Sequence, residues 1–228
     1  MLSNEALKIK SFLCSTKPTA TAKISLEQKQ QNYNSTMIKF SRVPEGIEIQ
    51  KTMIGGINAE WISPPNAVIE DKVLLYIHGG SFYAGSLDTH RGFASNLSEV
   101  GGVKVLFFEY RLAPEYKFPA AFDDTLLVYR NLLNSGFQAE NIIIGGESCG
   151  ALLALMVLNA LKENKEPLPA GAILLSLFGD SVYFDGESYI TNADKDPISS
   201  LEASKEDAKF IWMPKIHYRI GYAPSDKI

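Results

Sequence analysis

The sequence is poor in several features that would assign it to large classes of protein. It contains only 2 cysteines and 3 histidines among 228 residues, and two cysteines cannot form a disulfide framework. Its formal net charge of −4 argues against the basic surface that nucleic-acid binding requires. The first ten residues lack the apolar core of a secretion signal, and no apolar run is long enough to span a membrane. We therefore expect a cytoplasmic protein without a nucleic-acid partner or a membrane span.

The most informative segment is a serine placed between closely spaced glycines. Ser148 has Gly146 two positions before it and Gly150 two positions after it. An apolar run at 141–145 precedes this segment and another at 151–161 follows it, as a strand and a helix would. A serine at the apex of a strand–turn–helix unit is typical of a nucleophile elbow, in which the tight turn exposes the hydroxyl beside the N-terminus of the helix. The alternative is a serine that only caps the helix, and the flanking runs favour the nucleophile.

A second glycine-containing segment follows another predicted strand. The apolar run 72–77 is typical of a strand buried on both faces of a parallel sheet, and His78, Gly79 and Gly80 come directly after it. Glycines let the backbone approach the oxygen that becomes negatively charged during acyl transfer. We predict an oxyanion hole formed by the N–H groups of Gly79, Gly80 and Cys149, the last being the residue after the serine. The alternative is an ordinary loop at the end of a strand.

Together with two further segments, these motifs resemble the hormone-sensitive-lipase-like branch of the α/β-hydrolases. Four blocks occur in the order of that family, at 78–82, 110–115, 118–124 and 146–150. The resemblance implies an α/β-hydrolase fold, in which the histidine–glycine segment is the oxyanion loop and the serine is the nucleophile. The alternation of strand and helix patterns along the chain independently predicts an α/β fold with a mostly parallel sheet and helices on both faces.

The chain departs from the family pattern at four positions near these motifs. Ser81 stands where many members have a third glycine, and Glu147 stands where aspartate is usual. Cys149 and Ala151 replace the usual alanine and glycine. None of these changes removes a backbone N–H donor, so they leave the predicted oxyanion hole unaltered.

The acid and the base of a hydrolase triad should follow the serine in the chain. Residues 188–228 resemble the substrate-lid region of the family, which precedes the two strands that carry the acid and the base. On this alignment the last two βα units are absent from the chain, together with both residues. The alternative takes His217, the only histidine after Ser148, as the base and Asp180 or Asp196 as the acid. Asp180 follows a strand one earlier than the family pattern requires, and Asp196 follows a polar stretch.

The length and the hydrophobic content of 46% are those of one domain with a substantial core. We expect residues 1–40 to form N-terminal cap helices, residues 41–187 to form the hydrolase core and residues 188–228 to form a lid-like segment. Without two further strands, the strand predicted at 170–178 would lie at an unpaired apolar edge of the sheet. Such an edge would allow copies of the chain to associate as a homo-oligomer.

Four further elements are predicted within the core. Residues 46–64 contain a central glycine pair and are typical of an antiparallel hairpin. Residues 86–100 are predicted to be a helix and residues 103–108 a strand. Residues 119–133 are predicted to be a helix, since a proline stands at the first turn.

These features predict a serine carboxylester hydrolase that acts on a small-molecule ester with a short-to-medium acyl group. Ser148 would attack the acyl carbonyl, backbone N–H groups would hold the oxyanion, a histidine would relay the proton and water would release the acid. We expect no metal ion or other cofactor. The alternative is a non-catalytic protein of the same fold, either a truncated hydrolase or a small-ligand binder.

Overall fold

Six strands form one sheet in the computed structural model, which describes residues 3–16, 24–65, 69–177, 179, 184, 186–192 and 201–211. In chain order the strands are β1 (Glu48–Ile54), β2 (Ile57–Ser63), β3 (Ile69–Ile77), β4 (Val103–Phe108), β5 (Ile142–Glu147) and β6 (Gly171–Leu175). Their order across the sheet is β1-β2-β4-β3-β5-β6. The pairs formed among β4, β3, β5 and β6 are parallel, whereas β2 pairs antiparallel with β1 and with β4. The prediction of a mostly parallel sheet is confirmed.

Helices cover both faces of this sheet. They are α1 (Asn4–Thr16), α2 (Leu26–Phe40), α3 (Leu87–Gly101), α4 (Ala120–Asn134), α5 (Cys149–Glu163), α6 (Ser188–Thr191) and α7 (Leu201–Ile211), with a short 3₁₀ helix at Ala139–Asn141. Successive side chains of β3 point to opposite faces. Val73 and Leu75 join the larger apolar cluster with α4 and α5, whereas Leu74 and Tyr76 join a second cluster with α3. The predicted α/β fold is therefore confirmed.

The predicted hairpin is formed by β1 and β2. Gly55 and Gly56 connect the two strands with φ angles of +59° and +86°. Tight two-residue turns of this kind need positive φ at both central positions, which glycine adopts without a steric penalty.

Helix α3, predicted at residues 86–100, begins with a capping box. The Ser86 hydroxyl accepts the Thr89 N–H at 3.3 Å, and the Thr89 hydroxyl oxygen accepts the Ser86 N–H at 2.7 Å. The helix ends before Gly102, which has a left-handed φ of +61°. Strand β4 and helix α4 also agree with their predicted ranges to within one residue.

Two helices outside the core, α2 and α7, contact each other and the core. Helices α1 and α2 lie within the predicted cap segment, and α6 and α7 lie within the predicted lid-like segment. Helix α2 packs on α3, and its Lys29 Nζ lies 2.6 Å from Asp207 Oδ1 of α7. The division of the chain into cap, core and lid stays a prediction.

Strand β6 lies at one edge of the sheet. It pairs with β5 and has no second partner among the described residues. Its Ile173 and Leu175 side chains are each 38% exposed, so the edge is partly apolar. Association of copies of the chain at this edge stays a prediction. The residues considered for the acid and the base, Asp180, Asp196 and His217, lie outside the described residues.

Candidate active site

The two glycine motifs meet because they follow neighbouring parallel strands. Strands β3 and β5 pair with Ile77 opposite Gly146, and the carboxyl ends of parallel strands lie at the same edge of a sheet. The oxyanion loop, residues 78–82, leaves β3 at this edge, and Ser148 follows β5 there. A Cβ built on Gly79 would lie 3.3 Å from the Ser148 Cβ, so the loop and the serine are neighbours in space.

Steric crowding explains the glycines around Ser148. A Cβ built on Gly146 would lie 2.5 Å from the Ile77 carbonyl oxygen, and one on Gly150 would lie 2.2 Å from the same atom. Both positions therefore require glycine. Between them, Ser148 adopts φ +54° and ψ −120°, a sparsely populated conformation for a residue with a side chain. The predicted strand–turn–helix layout is confirmed.

Ser148 is fixed through its backbone. Its N–H donates to the Leu175 carbonyl oxygen of β6 at 2.9 Å. Ser148 is the N-cap residue of α5 by position, but its hydroxyl makes no capping hydrogen bond to the helix. The N-terminus of α5 nevertheless begins directly after Ser148 and places the positive end of the helix dipole there.

The oxyanion loop turns back through three consecutive residues with positive φ. The φ angles are +115° at Gly80, +53° at Ser81 and +61° at Phe82. The Gly80 carbonyl oxygen accepts N–H groups from Tyr83 at 3.2 Å and from Ala84 at 2.9 Å. Because positive φ is unfavourable for Ser81 and Phe82, contacts from the surrounding structure must hold the loop.

The N–H of Gly79 already has an acceptor within the protein. It donates to Glu147 Oε1 at 2.5 Å, so this carboxylate would compete with an oxyanion for the Gly79 N–H. The Gly80 N–H makes no hydrogen bond within the described part of the chain. The Cys149 N–H opens helix α5, where no intrahelical acceptor exists. Among the described residues, the Gly80 and Cys149 N–H groups, which are two of the three predicted donors, thus have no acceptor.

Glu147, directly before the serine, is the centre of a polar network behind the loop. Its Oε2 accepts the Tyr76 hydroxyl at 2.6 Å, and its Oε1 lies 3.2 Å from His90 Nε2. The Tyr33 hydroxyl lies 3.2 Å from the same histidine nitrogen. The three partners come from β3, α3 and α2. Sequence reasoning missed them because no local pattern marks residues that meet only in the folded chain.

The His78 side chain is buried beneath the backbone of the loop. Its Nδ1 lies 2.6 Å from the Gly79 carbonyl oxygen, and its ring stacks on Tyr110 with 4.3 Å between centroids. Burial, with a smaller contribution from the neighbouring His90, lowers the pKa of His78 to about 4. A neutral imidazole in this position supports the loop backbone. Within the described residues, neither His78 nor His90 forms a hydrogen bond with Ser148.

The Cys149 side chain is buried against the oxyanion loop. Its Sγ accepts the Phe82 N–H at 3.3 Å and lies 3.7 Å from the Tyr110 hydroxyl oxygen. Burial raises the pKa of the thiol to about 11, although the hydrogen bond from the Phe82 N–H acts in the opposite direction. The thiol is therefore protonated at neutral pH, which makes it a poor nucleophile.

The described side chains contain no group of three or more histidine, cysteine, aspartate or glutamate residues arranged to hold a metal ion. None of the described helices combines the length and the apolar character needed to cross a membrane.

Sequence comparison agrees with the motifs and the geometry. The family described as "alpha/beta hydrolase fold" matches residues 74–214, a range that includes the oxyanion loop and Ser148. The chain belongs to the α/β-hydrolase family. The resemblance to its hormone-sensitive-lipase-like branch is also confirmed. An esterase from the bacterial hormone-sensitive lipase family has a crystal structure that matches this fold with a TM-score of 0.85. Its sequence is 35% identical, and the match covers 95% of this chain and 71% of that one.

Two curated relatives of this α/β-hydrolase carry names that refer to ester cleavage. An esterase of Acinetobacter venetianus is 36% identical over 163 residues, which cover 72% of this chain and 53% of the relative. An acetyl-hydrolase of Streptomyces hygroscopicus is 39% identical over 138 residues, which cover 60% of this chain and 45% of the relative. The chain thus spans about half the length of the curated relatives that it matches.

Proposed function

We propose that this α/β-hydrolase is a serine carboxylester hydrolase with Ser148 as the nucleophile. The observation that best supports the proposal is the elbow, where a strained turn places Ser148 next to the loop and directly before α5, and where the N–H groups of Gly80 and Cys149 have no acceptor among the described residues. A hydroxyl beside such donors suits the attack on an acyl carbonyl, because the carbonyl oxygen becomes negatively charged in the tetrahedral intermediate. The names of the esterase and acetyl-hydrolase relatives support the same chemistry.

The reaction proceeds in two halves. In the first, Ser148 Oγ forms a bond to the acyl carbon, its proton passes to a base, and the alcohol leaves with that proton as the bond between the acyl carbon and the alcohol oxygen breaks. In the second, water attacks the acyl-serine ester, and the acid and the free hydroxyl are regenerated. The N–H groups of Gly80 and Cys149 stabilise the oxyanion in both halves. A short-to-medium acyl group on a small-molecule ester is the proposed substrate class.

The base is a histidine other than His78 and His90, since both lie buried in the network behind the loop. His217 is the third histidine of the sequence, and it lies outside the described residues. The second candidate function is non-catalytic binding of a small ligand at the same place. One observation favours it: within the described ranges, no side chain forms a hydrogen bond with the Ser148 hydroxyl.

Labelling with a fluorophosphonate probe tests the proposal. We expect the probe on Ser148 of the folded protein, located by mass spectrometry of the digested chain, because phosphonylation requires the same activated hydroxyl and oxyanion donors as acyl transfer. Ser148→Ala should abolish the labelling, and Ser135→Ala, at an exposed serine beyond the end of α4, should leave it unchanged.

The outcomes of this experiment separate the two candidates. Label on another serine, or no label on a protein shown to be folded, contradicts the hydrolase and favours the binding protein. If Ser148 is labelled, the rate of labelling in His217→Ala tests whether His217 is the base. A rate that falls by less than about tenfold, or 1.4 kcal/mol, would mean that His217 is not the base.

A further inference from the structure

The two ends of the oxyanion loop are connected behind it through side chains. At one end, the Phe82 N–H donates to Cys149 Sγ over 3.3 Å, and this sulfur lies 3.7 Å from the Tyr110 hydroxyl oxygen. At the other end, the Tyr110 hydroxyl donates to the His78 carbonyl oxygen over 2.8 Å. All four residues are at most 5% exposed, so water does not compete for these contacts.

The Tyr110 hydroxyl oxygen also lies 3.3 Å from His78 Nδ1, and the inventory of donors and acceptors favours one direction for the bonds of the thiol. The Tyr110 hydroxyl hydrogen is used on the His78 carbonyl, so the Tyr110 oxygen is left to accept. Cys149 Sγ accepts the Phe82 N–H, and its own hydrogen is left to donate to Tyr110. The thiol retains that hydrogen at neutral pH because burial raises its pKa to about 11. Each group therefore donates to the next one along, from Phe82 towards His78.

We propose that the Cys149 thiol is a positioning group for the oxyanion loop, accepting from the Phe82 N–H and donating to Tyr110 to close a hydrogen-bonded clamp. The role in catalysis rests on the proposed function, in which the N–H groups of Gly80 and Cys149 bind the oxyanion. Cys149 then acts twice: its backbone supplies one donor, and its side chain holds the loop that carries the other. The clamp fixes the distance between the two donors.

The loop needs such a support because of its backbone conformation. Ser81 and Phe82 both have positive φ, and residues with side chains hold such angles only where the surroundings impose them. The Phe82 carbonyl is held by the Ala113 N–H at 2.9 Å. The thiol contacts the other polar group of the same residue, its N–H, so the two contacts together fix the peptide groups on both sides of Phe82.

The chemistry of the side chain predicts a ranking at this position. Serine also donates and accepts, but its shorter C–O bond places the oxygen farther from both partners. Alanine does neither, and it leaves the buried Tyr110 oxygen and the Phe82 N–H without this contact. We therefore expect the loop to be held best by cysteine, less well by serine and least by alanine.

Amide hydrogen exchange of the full chain tests the clamp without any need for turnover. In Cys149→Ala we expect exchange at the Phe82 N–H to become about fivefold to tenfold faster, as for the loss of one buried hydrogen bond. The Leu152 N–H of α5, bonded to the Ser148 carbonyl at 3.2 Å, should exchange at the wild-type rate. A role in packing alone would instead accelerate both amides together.

Two further variants serve as controls for this measurement. In Cys149→Ser, the Phe82 N–H should exchange at a rate between those of the wild type and Cys149→Ala, because the serine hydroxyl partly replaces the hydrogen bonds of the thiol. Cys14→Ala, at the exposed cysteine of α1, should match the wild type. Unchanged exchange at Phe82 in a folded Cys149→Ala protein overturns the proposal. If that protein does not fold, Cys149→Ser carries the test, and Phe82 exchange at the wild-type rate in it overturns the proposal equally.

The S–H stretching vibration tests the direction of the clamp. In the Cys14→Ala protein, the only infrared S–H band comes from Cys149. Donation to Tyr110 lowers the frequency of this band, so Tyr110→Phe should raise it; a band that does not move overturns the bond between thiol and hydroxyl. Both measurements should give the same results in a Ser148→Ala background. Failure of the clamp is therefore distinguishable from failure of the proposed function, which fluorophosphonate labelling reports separately.

Discussion

The nucleophile turn, residues 146–150, and the oxyanion loop, residues 78–82, lie side by side but are held in shape by different kinds of contact. The turn is held by backbone packing, since its two outer glycines press against the Ile77 carbonyl oxygen. The loop is also crowded by backbone at Gly80, but its Gly79 and Phe82 N–H groups are held by side chains, those of Glu147 and Cys149. The turn is thus marked by glycines within one short segment, whereas the loop depends on side chains of other segments.

This difference determines how each segment should respond to substitution. Backbone atoms that meet at van der Waals distance cannot rotate aside, so an added carbon in the turn forces the strand and the helix apart. A hydrogen bond from a side chain can be lost singly, with a modest cost for each. We therefore expect large, all-or-none effects at the outer glycines of the turn and smaller, graded effects where the side chains that hold the loop are replaced.

The largest effect is expected for Gly150→Ala. The new Cβ would lie 2.2 Å from the Ile77 carbonyl oxygen and 2.6 Å from that of His78, and both atoms belong to the backbone. We expect the free energy of unfolding to fall by at least about 3 kcal/mol, as measured by urea denaturation.

Gly171→Ala is the matched control, because no atom lies within 4 Å of a Cβ built there. Its free energy of unfolding should stay within about 1 kcal/mol of the wild type. If Gly150→Ala behaved like this control, the turn would be more adaptable than the loop, and the comparison would be reversed.

Much of the fold could be predicted from the sequence because its elements are specified locally. Strand β4 has an apolar run at 105–108, helix α3 has its capping serine, and the hairpin has two glycines where positive φ is needed. The turn around Ser148 belongs to the same class, since its glycines stand at fixed spacing in one segment. Each of these patterns is recognisable within a few residues of sequence.

The loop could be predicted only in part. Its glycines mark Gly80 as a residue of the site, but they do not say where the Gly79 N–H points, because glycine allows several backbone directions. That direction depends on Glu147, whose own position depends on Tyr76 and His90. These partners belong to three separate elements, so only the folded chain shows that they meet.

We expect acidification to lower the free energy of unfolding, by less than Gly150→Ala does. Burial lowers the pKa of His78 from about 6.5 to about 4, whereas in the unfolded chain the ordinary value applies. Between these pH values the unfolded state binds a proton that the folded state excludes. The stability from neutral His78 is thus fully present above about pH 6.5 and is lost as the pH falls towards 4, by up to about 3 kcal/mol.

Urea denaturation at a series of pH values measures this loss, and His78→Gln is the control. Glutamine does not titrate, so the difference in stability between the wild type and His78→Gln should shrink as the pH falls from 6.5 to 4. Carboxylates titrate in both proteins and cancel in the comparison. Parallel curves for the two proteins would show that His78 is not held in its neutral form.

The smallest effect is expected for Ser81→Gly. Ser81 has a φ of +53°, close to the +54° of Ser148, but no proposed chemistry depends on its side chain. Glycine adopts this angle without a steric penalty, while its greater freedom in the unfolded chain offsets part of the gain. We expect the free energy of unfolding to rise by no more than about 1 kcal/mol. A fall in the free energy of unfolding of more than about 1 kcal/mol, measured by urea denaturation, would mean that the Ser81 side chain stabilises the loop by more than its backbone strain costs. The loop would then depend on its own side chains as well as on those that reach it from elsewhere.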